Sequence, residues 1–321
     1  MEYSVIIPVY NEEAVISACY GKLTEVMAGL DDDYELLFVN DGSTDASGDI
    51  LRVLCGRDSH VQLVDFSRNF GHQIAISAGF AYARGNAVIV IDADLQDPPE
   101  VIPEMVGKWK EGYEVVYGRR LKRNGESAFK KMTSKIYYRF LSRLTSVDIP
   151  VDVGDFRLID RKVCDALKLL KEKNRYVRGL ISWLGFSQTE VAYVRASRYA
   201  GETKYPFKKM VRFAADGIIA FSSKPLKLAV WPGIVMSIAG FLYFLYILYL
   251  KFFTDKTELG WASLMCAVLF FNGYILIMLG ILGEYLGRLF DESKGRPLFV
   301  VTDSIIQEPV NSSSVSENSE E

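Results

Sequence analysis

The sequence predicts an α/β protein, a mostly parallel sheet with helices on both faces, followed by an apolar C-terminal region. Three observations predict it. Short apolar runs alternate with helical periodicity from Tyr3 to Tyr117. Polar clusters recur where the first, second and fourth runs end, and in a parallel sheet those ends converge on one edge. Two uncharged stretches of about 23 residues, 228–250 and 260–283, are each long enough to cross about 30 Å of hydrocarbon as a helix.

The first strand, Tyr3–Val9, closes in Pro8-Val9-Tyr10-Asn11-Glu12, and Ala14, Val15, Leu23, Val26 and Met27 mark the helix after it. The second, 34–39, closes in Asn40-Asp41-Gly42-Ser43-Thr44-Asp45. Gly42 permits a tight turn there, and Ser43 or Thr44 can cap the next helix. The third, Val61–Phe66, leads through Ser67-Arg68-Asn69-Phe70-Gly71-His72 into a helix running to Ala83. His72 can cap that helix or touch a phosphate. The fourth, Val88-Ile89-Val90-Ile91, is β-branched throughout and reads as a buried strand. It ends in Asp92-Ala93-Asp94-Leu95-Gln96-Asp97-Pro98-Pro99, where the prolines stop it. Acids at i and i+2 past a parallel strand sit where such sheets bind ligands, and hard oxygen donors suit Mg²⁺ or Mn²⁺ against phosphate. The plainer alternative is an acidic loop capping a helix that begins at Pro98. A helix over 101–109 and a fifth strand over 113–117 follow.

Residues 127–144 place Phe129, Met132, Ile136, Phe140 and Leu144 on one helical face and Lys130, Lys131, Lys135, Arg139 and Arg143 on the rest. That pattern fits a helix in a membrane interface, a surface helix of its own domain, or a subunit contact in a homo-oligomer. Segment 151–160 contains Gly154-Asp155-Phe156-Arg157-Leu158. Helices over 162–170 and from Asn174-Arg175-Tyr176-Val177-Arg178-Gly179 through Trp183 come next, then an alternating strand over 188–194. Arg198 and Gly201-Glu202-Thr203-Lys204-Tyr205 precede a second basic amphipathic stretch, 207–221.

This divides the chain into an N-terminal domain over 1–205, an amphipathic juxtamembrane helix over 206–227, two transmembrane helices within 228–287, and a tail over 288–321, disordered from about 311. Lys and Arg flank both spans on the outer sides, while the charges of the short loop between them balance. The positive-inside rule then sets the N-terminal domain and both termini in the cytoplasm, in a multi-pass membrane protein. Tyr3 already begins a strand pattern, so no leader peptide is expected. The net charge of −3 gives no sign of a nucleic-acid partner. Four scattered cysteines and two histidines lack zinc spacing. Neither G-x-G-x-x-G nor a P-loop occurs, which disfavours a dinucleotide oxidoreductase and a P-loop ATPase.

Taken in order, Pro8-Val9-Tyr10-Asn11-Glu12, Asn40-Asp41-Gly42-Ser43, Asp92-Ala93-Asp94-Leu95-Gln96-Asp97-Pro98 and Gly154-Asp155-Phe156-Arg157 resemble the family 2 glycosyltransferases of GT-A fold (Rossmann-like). With the two apolar spans, the chain resembles the polyprenyl-phosphate branch, which includes dolichol-phosphate mannose synthases. Gly154-Asp155-Phe156-Arg157-Leu158 and Gly283-Glu284-Tyr285-Leu286-Gly287-Arg288 look most like bacterial bactoprenol glucosyltransferases. No Q-x-x-R-W motif of processive synthases is present, so a single transfer is expected.

The resemblance implies an inverting transfer of a sugar, glucose first, from a UDP-sugar to undecaprenyl phosphate at the inner membrane of a bacterium, for cell-envelope glycan modification. N-acetylglucosamine, aminoarabinose or GDP-mannose with dolichol-type lipids are alternatives, as is a non-catalytic lipid-carrier scaffold or translocator. It implies that Pro8, Tyr10, Glu12, Asp41 and Asp92 bind the donor nucleotide. Asp94, Gln96 and Asp92 would hold Mg²⁺ or Mn²⁺ against the diphosphate. Asp155 would stand with Asp94 at the reacting centre, as a base or an orienting group. Arg178, Arg198, Lys204 and Tyr205 would serve the acceptor and diphosphate, since Arg and Lys clamp phosphates. Arg119, Arg120 and Arg123 are further cations, the last two read as surface charges.

Overall fold

The computed structural model describes residues 1–121, 153–195, 224–253 and 260–307. The basic amphipathic stretches 127–144 and 207–221 lie outside them.

One sheet of eight described strands is built from β1 (Tyr3–Val9), β2 (Tyr34–Asn40), β3 (Val61–Phe66), β4 (Ala87–Val90), β5 (Val115–Arg120), β6 (Val153–Asp160), β7 (Gln188–Tyr193) and β8 (Val301–Ile305), in the order β7-β5-β6-β4-β1-β2-β3-β8. β1 to β4 run parallel, β6 runs against both β4 and β5, and β8 runs against β3. The order reverses between β1 and β4, which is where an open α/β sheet leaves a crevice.

Period-two alternation decides what β1 touches. Tyr3, Val5, Ile7 and Val9 join a core with Ile16, Cys19, Leu23 and Met27 of α1 (Ile16–Ala28) and Leu51 of α2 (Ser47–Cys55). Ile6 faces the other way, onto α3 (His72–Tyr82). There Gly79 is required by close approach, because a Cβ would lie 2.2 Å from Ile6 Cγ2. α4 (Ile102–Lys110) follows a short 3-10 turn at Pro99–Val101, and α5 (Arg161–Leu169) and α6 (Val177–Leu184) complete the helices of this unit.

Two features depart from the sequence reading. The segment around Gly154 is a full strand, reversed and inserted between β4 and β5. Residues 301–305, expected in the tail, instead pair with β3 and cap that edge of the sheet. Only Val301 and Ile305 of β8 are partly buried, so a polar strand on an edge carries almost no hydrophobic signature.

A second unit holds two long helices, α7 (Lys224–Phe253) and α8 (Trp261–Ser293). A Cβ at Gly233 would lie 3.8 Å from the Tyr274 hydroxyl, so α7 and α8 pack side by side. Among the described residues, Phe270–Ser293 of α8 is long and apolar enough to cross a membrane, and α7 contributes a shorter apolar run, Val230–Tyr243.

Gly79→Ala tests the α3–β1 packing. In an open helix the change stabilises by about 1 kcal/mol. Here overpacking against Ile6 should give a net loss of about 1–3 kcal/mol, read as a lowered Tm, and a double-mutant cycle with Ile6→Ala, which removes both γ-carbons, should show favourable coupling.

Candidate active site

The site grows from the end of β4. Past Val90 the side chains alternate: Ala93, Leu95 and Asp97 are buried, while Asp92, Asp94 and Gln96 stay partly exposed. Leu95 adopts a left-handed backbone (φ 55°), which costs a leucine about 1 kcal/mol. Across that turn Gln96 N donates to Asp94 Oδ1 at 3.1 Å. Asp92, Asp94 and Gln96 thus share the open side of one turn.

The reversed strand supplies the next carboxylate. Val90 pairs with Arg157, and continuing that register sets Asp155 opposite Asp92. Asp155 is buried and fully engaged. Arg178 donates from Nε to Oδ1 at 2.8 Å and from Nη2 to Oδ2 at 3.0 Å. Gln73 Nε2 donates to Oδ2 at 3.3 Å. His72 Nε2 lies 3.2 Å from Asp155 Oδ2 and 3.6 Å from Asp92 Oδ1. These partners are themselves held: Arg178 Nη1 donates to Val153 O at 3.0 Å, and Gln73 Oε1 accepts from Val177 N at 3.0 Å. The start of α3 and the first turn of α6 therefore close together on one carboxylate.

The electrostatics follow. Burial alone would raise the Asp155 carboxyl, but the Arg178 guanidinium and His72 overcome it and hold the group well below the usual carboxylate range. Burial opposes charge on His72, yet the Asp155 contact and the nearby Asp92 take it up to about 9. Asp92 goes the other way: burial raises it, His72 offsets part, and Asp155, Asp97 and Asp94 add to the rise. Its Oδ1 is enclosed with no hydrogen-bond partner among the described residues.

Of the expected nucleotide residues, Tyr10, Glu12 and Asp41 sit on two interlocked loops after β1 and β2, Pro8 lies within β1, and Asp92 lies past β4. Pro8 is buried at the end of β1 and Tyr10 is exposed beyond it. Asn11 N donates to Ser43 Oγ at 3.0 Å, Thr44 N to Asn11 Oδ1 at 2.8 Å, and Glu12 N to Ser47 Oγ at 3.0 Å. Asp41 is buried and accepts from Phe70 N at 2.6 Å, Gly71 N at 2.9 Å and Asn69 Nδ2 at 3.0 Å. Burial raises its carboxyl, and the Phe70 and Gly71 amides pull it back. Gly42 (φ 62°) lets the loops meet, because a Cβ there would lie 2.3 Å from Arg68 C.

The arginines divide differently from the sequence reading. Arg178, expected on the acceptor, has Nε and Nη2 on Asp155 and Nη1 on Val153. Arg119 pairs with Glu190 at 3.1 Å. Arg120, read as a surface charge, instead binds fully buried Asp97 at 3.1 Å and Tyr193 Oη at 3.1 Å. Its guanidinium crosses Gly154, where a Cβ would lie 2.5 Å from Nη2. Arg123, Arg198, Lys204 and Tyr205 lie outside the described residues. The contact of His72 and Gln73 with Asp155 joins residues 83 and 82 apart, and the one sequence signal for it was a histidine placed just after Gly71.

Comparison with known proteins gives the family. Residues 4–168 match the model of glycosyl transferase family 2, and residues 224–289 match the GtrB C-terminal hairpin. The chain belongs to glycosyl transferase family 2. It is 61% identical over 304 residues to the uncharacterized glycosyltransferase YkcC of Bacillus subtilis, covering 95% of this chain and 94% of that one. It is 38% identical over 301 residues to the bactoprenol glucosyl transferase of Shigella phage SfV, covering 94% and 98%. Among solved structures, glucosyl-3-phosphoglycerate synthase from Mycobacterium tuberculosis, in complex with Mn²⁺, UDP and glucosyl-3-phosphoglycerate, aligns with a TM-score of 0.44 at 22% identity, covering 68% of this chain and 77% of that one. The family 2 segment holds Asp41, His72, Asp92, Asp94 and Asp155 but stops before Arg178.

Arg178→Ala should destabilise the protein by about 3–5 kcal/mol, because it leaves Asp155 buried without its main cation. Arg178→Lys should recover part of that in thermal unfolding. The pH dependence has two arms. Asp155 is depressed, so its contribution is present above the ordinary carboxylate pKa and is lost as pH falls through the folded value. His72 is raised, so its contribution is full below about 6.5 and is lost as pH rises through about 9. The Tm should therefore decline from neutral pH to pH 10, and decline less in His72→Gln.

Proposed function

We propose that this chain transfers a hexose, glucose in the first instance, from a UDP-sugar to a polyprenyl phosphate, undecaprenyl phosphate in a bacterium, at the cytoplasmic face of the membrane. The observation that carries the acceptor class is the clamp on Asp155, whose oxygens are held by Arg178, Gln73 and His72. A carboxylate held well below its usual pKa is a weak base. A sugar hydroxyl acceptor would need a strong one. A phosphomonoester arrives already carrying about −1.5 to −2 charge and needs none. Relatives named bactoprenol glucosyl transferase, similar over almost the whole chain, support the same acceptor and glucose as the sugar.

The acceptor phosphate oxygen attacks the anomeric carbon, the bond from that carbon to the UDP oxygen breaks, and its electron pair leaves with UDP, inverting the centre. Asp155, fixed by Arg178, His72 and Gln73, orients the sugar and acceptor. Arg178 is thus a positioning residue. Asp41 shapes the donor loop through Asn69, Phe70 and Gly71, beside Pro8, Tyr10 and Glu12 for the nucleotide. Arg198, Lys204 and Tyr205 are the remaining acceptor candidates.

The residues present fit a divalent ion. Asp92, Asp94 and Gln96 offer hard oxygen donors on one turn, and Asp92 Oδ1 is enclosed with no hydrogen bond among the described residues, His72 standing 3.6 Å away. Among the described residues no group of three His, Cys, Asp or Glu is placed to hold a metal alone, so the proposed ion would take its other ligands from the donor phosphates. When bound, Mg²⁺ or Mn²⁺ would neutralise charge gathering on the leaving diphosphate. The hairpin match and the apolar runs of α7 and α8 support an anchor of two membrane helices, with 1–205 as the catalytic part. The basic flanks support a cytoplasmic orientation.

The test is transfer by the purified full chain from labelled UDP-glucose to a short polyprenyl phosphate. Lipid-linked glucose and free UDP are expected. Chelation should abolish turnover and Mg²⁺ or Mn²⁺ restore it, and Asp94→Asn should lower kcat by about 10²-fold or more. UDP binding without transfer from any UDP-hexose would overturn the reading.

A further inference from the structure

The segment after α8 reaches into the neighbourhood of the site from the edge of the sheet. Phe299 stacks on buried Phe66, with ring centroids 5.1 Å apart and planes 16° from parallel. Ser67 N donates to Val300 O at 3.0 Å, just before β8 takes up its pairing with β3. Further along, Gln307 N donates to Gln62 Oε1 at 2.5 Å, Gln307 Nε2 to Cys55 O at 2.6 Å, and Arg84 Nη1 to Gln307 O at 2.7 Å. The strap is therefore fastened at both ends.

What it fastens is the loop that leads to His72. Phe66 meets Phe70 edge to face at 5.6 Å, and Arg68 lies over the Phe70 ring at 4.0 Å. Phe70 and Gly71 donate their amides to Asp41. The loop 67–71 is exposed along Ser67, Arg68 and Asn69, yet it is gripped on one side by Asp41 and on the other by a ring ladder that ends in Phe299. The next two residues are His72 and Gln73, both on Asp155. Covering an exposed edge needs only the β8 ladder. It does not need an aromatic contact beyond that ladder, aimed at the residue from which the loop departs.

We propose that Phe299 is a positioning residue for the site: through Phe66 and Phe70 it sets the loop that delivers His72 and Gln73 to Asp155. The catalytic consequence rests on Asp155 standing at the reacting centre, as in the function above. The structural consequence does not.

Two readouts on the full chain separate these. In Phe299→Ala, hydrogen exchange at the Phe70 and Gly71 amides should speed up by about tenfold, because the loop loses one of its two anchors. With UDP-glucose and a short polyprenyl phosphate, kcat should fall by about tenfold while KM for UDP-glucose stays within about twofold. Phe299→Tyr keeps the ring and should restore both. Should Phe299→Ala fail to fold, Phe299→Leu, which keeps bulk but loses the flat face, carries the same comparison. A lowered Tm with unaltered loop exchange and unaltered kcat would reduce the strap to edge protection and overturn the proposal. If the wild-type chain transfers no sugar, the functional reading fails, and loop exchange alone still decides the role of Phe299.

Discussion

Two carboxylates brought side by side at the end of β4 and the start of β6 constrain everything around them. Asp155 is buried and Asp92 Oδ1 is enclosed beside it, and like charges in such a setting cannot both stay ionised without nearby cations. The protein answers unequally. Asp155 receives Arg178 in a two-point contact, His72 and Gln73. Asp92 receives only a share of His72, and its Oδ1 keeps no hydrogen bond among the described residues. One acid is thereby fixed as an anion, and the other is left with an unmet preference for positive charge. The proposed roles rest on that asymmetry: Asp155 as an orienting group, Asp92 as a ligand to the donor-bound ion.

The direction of β6 makes this pairing possible. Had β6 run parallel to β4, its C-terminal end, at Asp160, would lie at the ligand-binding edge. Reversed, it brings its N-terminal residues there: Gly154, over which Arg120 reaches Asp97, and Asp155 opposite Asp92. The same edge collects the C-terminal ends of β5 and β7, so Arg120 and Tyr193 meet on Asp97 just past the acidic turn.

Much of the parallel half was legible. β1 and β3 follow their apolar runs at both ends, β2 runs one residue longer and β4 is shifted one residue earlier, because a strand buried on both faces must be apolar at nearly every position. The acids at 92 and 94 were legible for the complementary reason, polar residues placed where a buried strand stops. The direction of β6 was not, since an apolar run carries no arrow. Nor was the partner of Asp155: Arg157, two residues along, donates to Gly154 O at 2.9 Å, while Arg178 arrives from another helix. β8 was hidden because an edge strand needs few apolar side chains.

The contacts that close the site come from separated parts of the chain. His72 and Gln73 open α3, Asp155 begins β6, Arg178 lies in the first turn of α6, and Phe299 follows α8. No one of these segments holds Asp155 alone, and each costs loop-closure entropy that only the assembled network offsets. The stretch shared with the family model ends at residue 168, before Arg178, β7 and β8. A chain cut there would retain both acids and His72 but lose the guanidinium that makes the burial of Asp155 tolerable. The physical unit of this site is therefore larger than the segment that carries its motifs, and it extends to the strand that follows the hairpin.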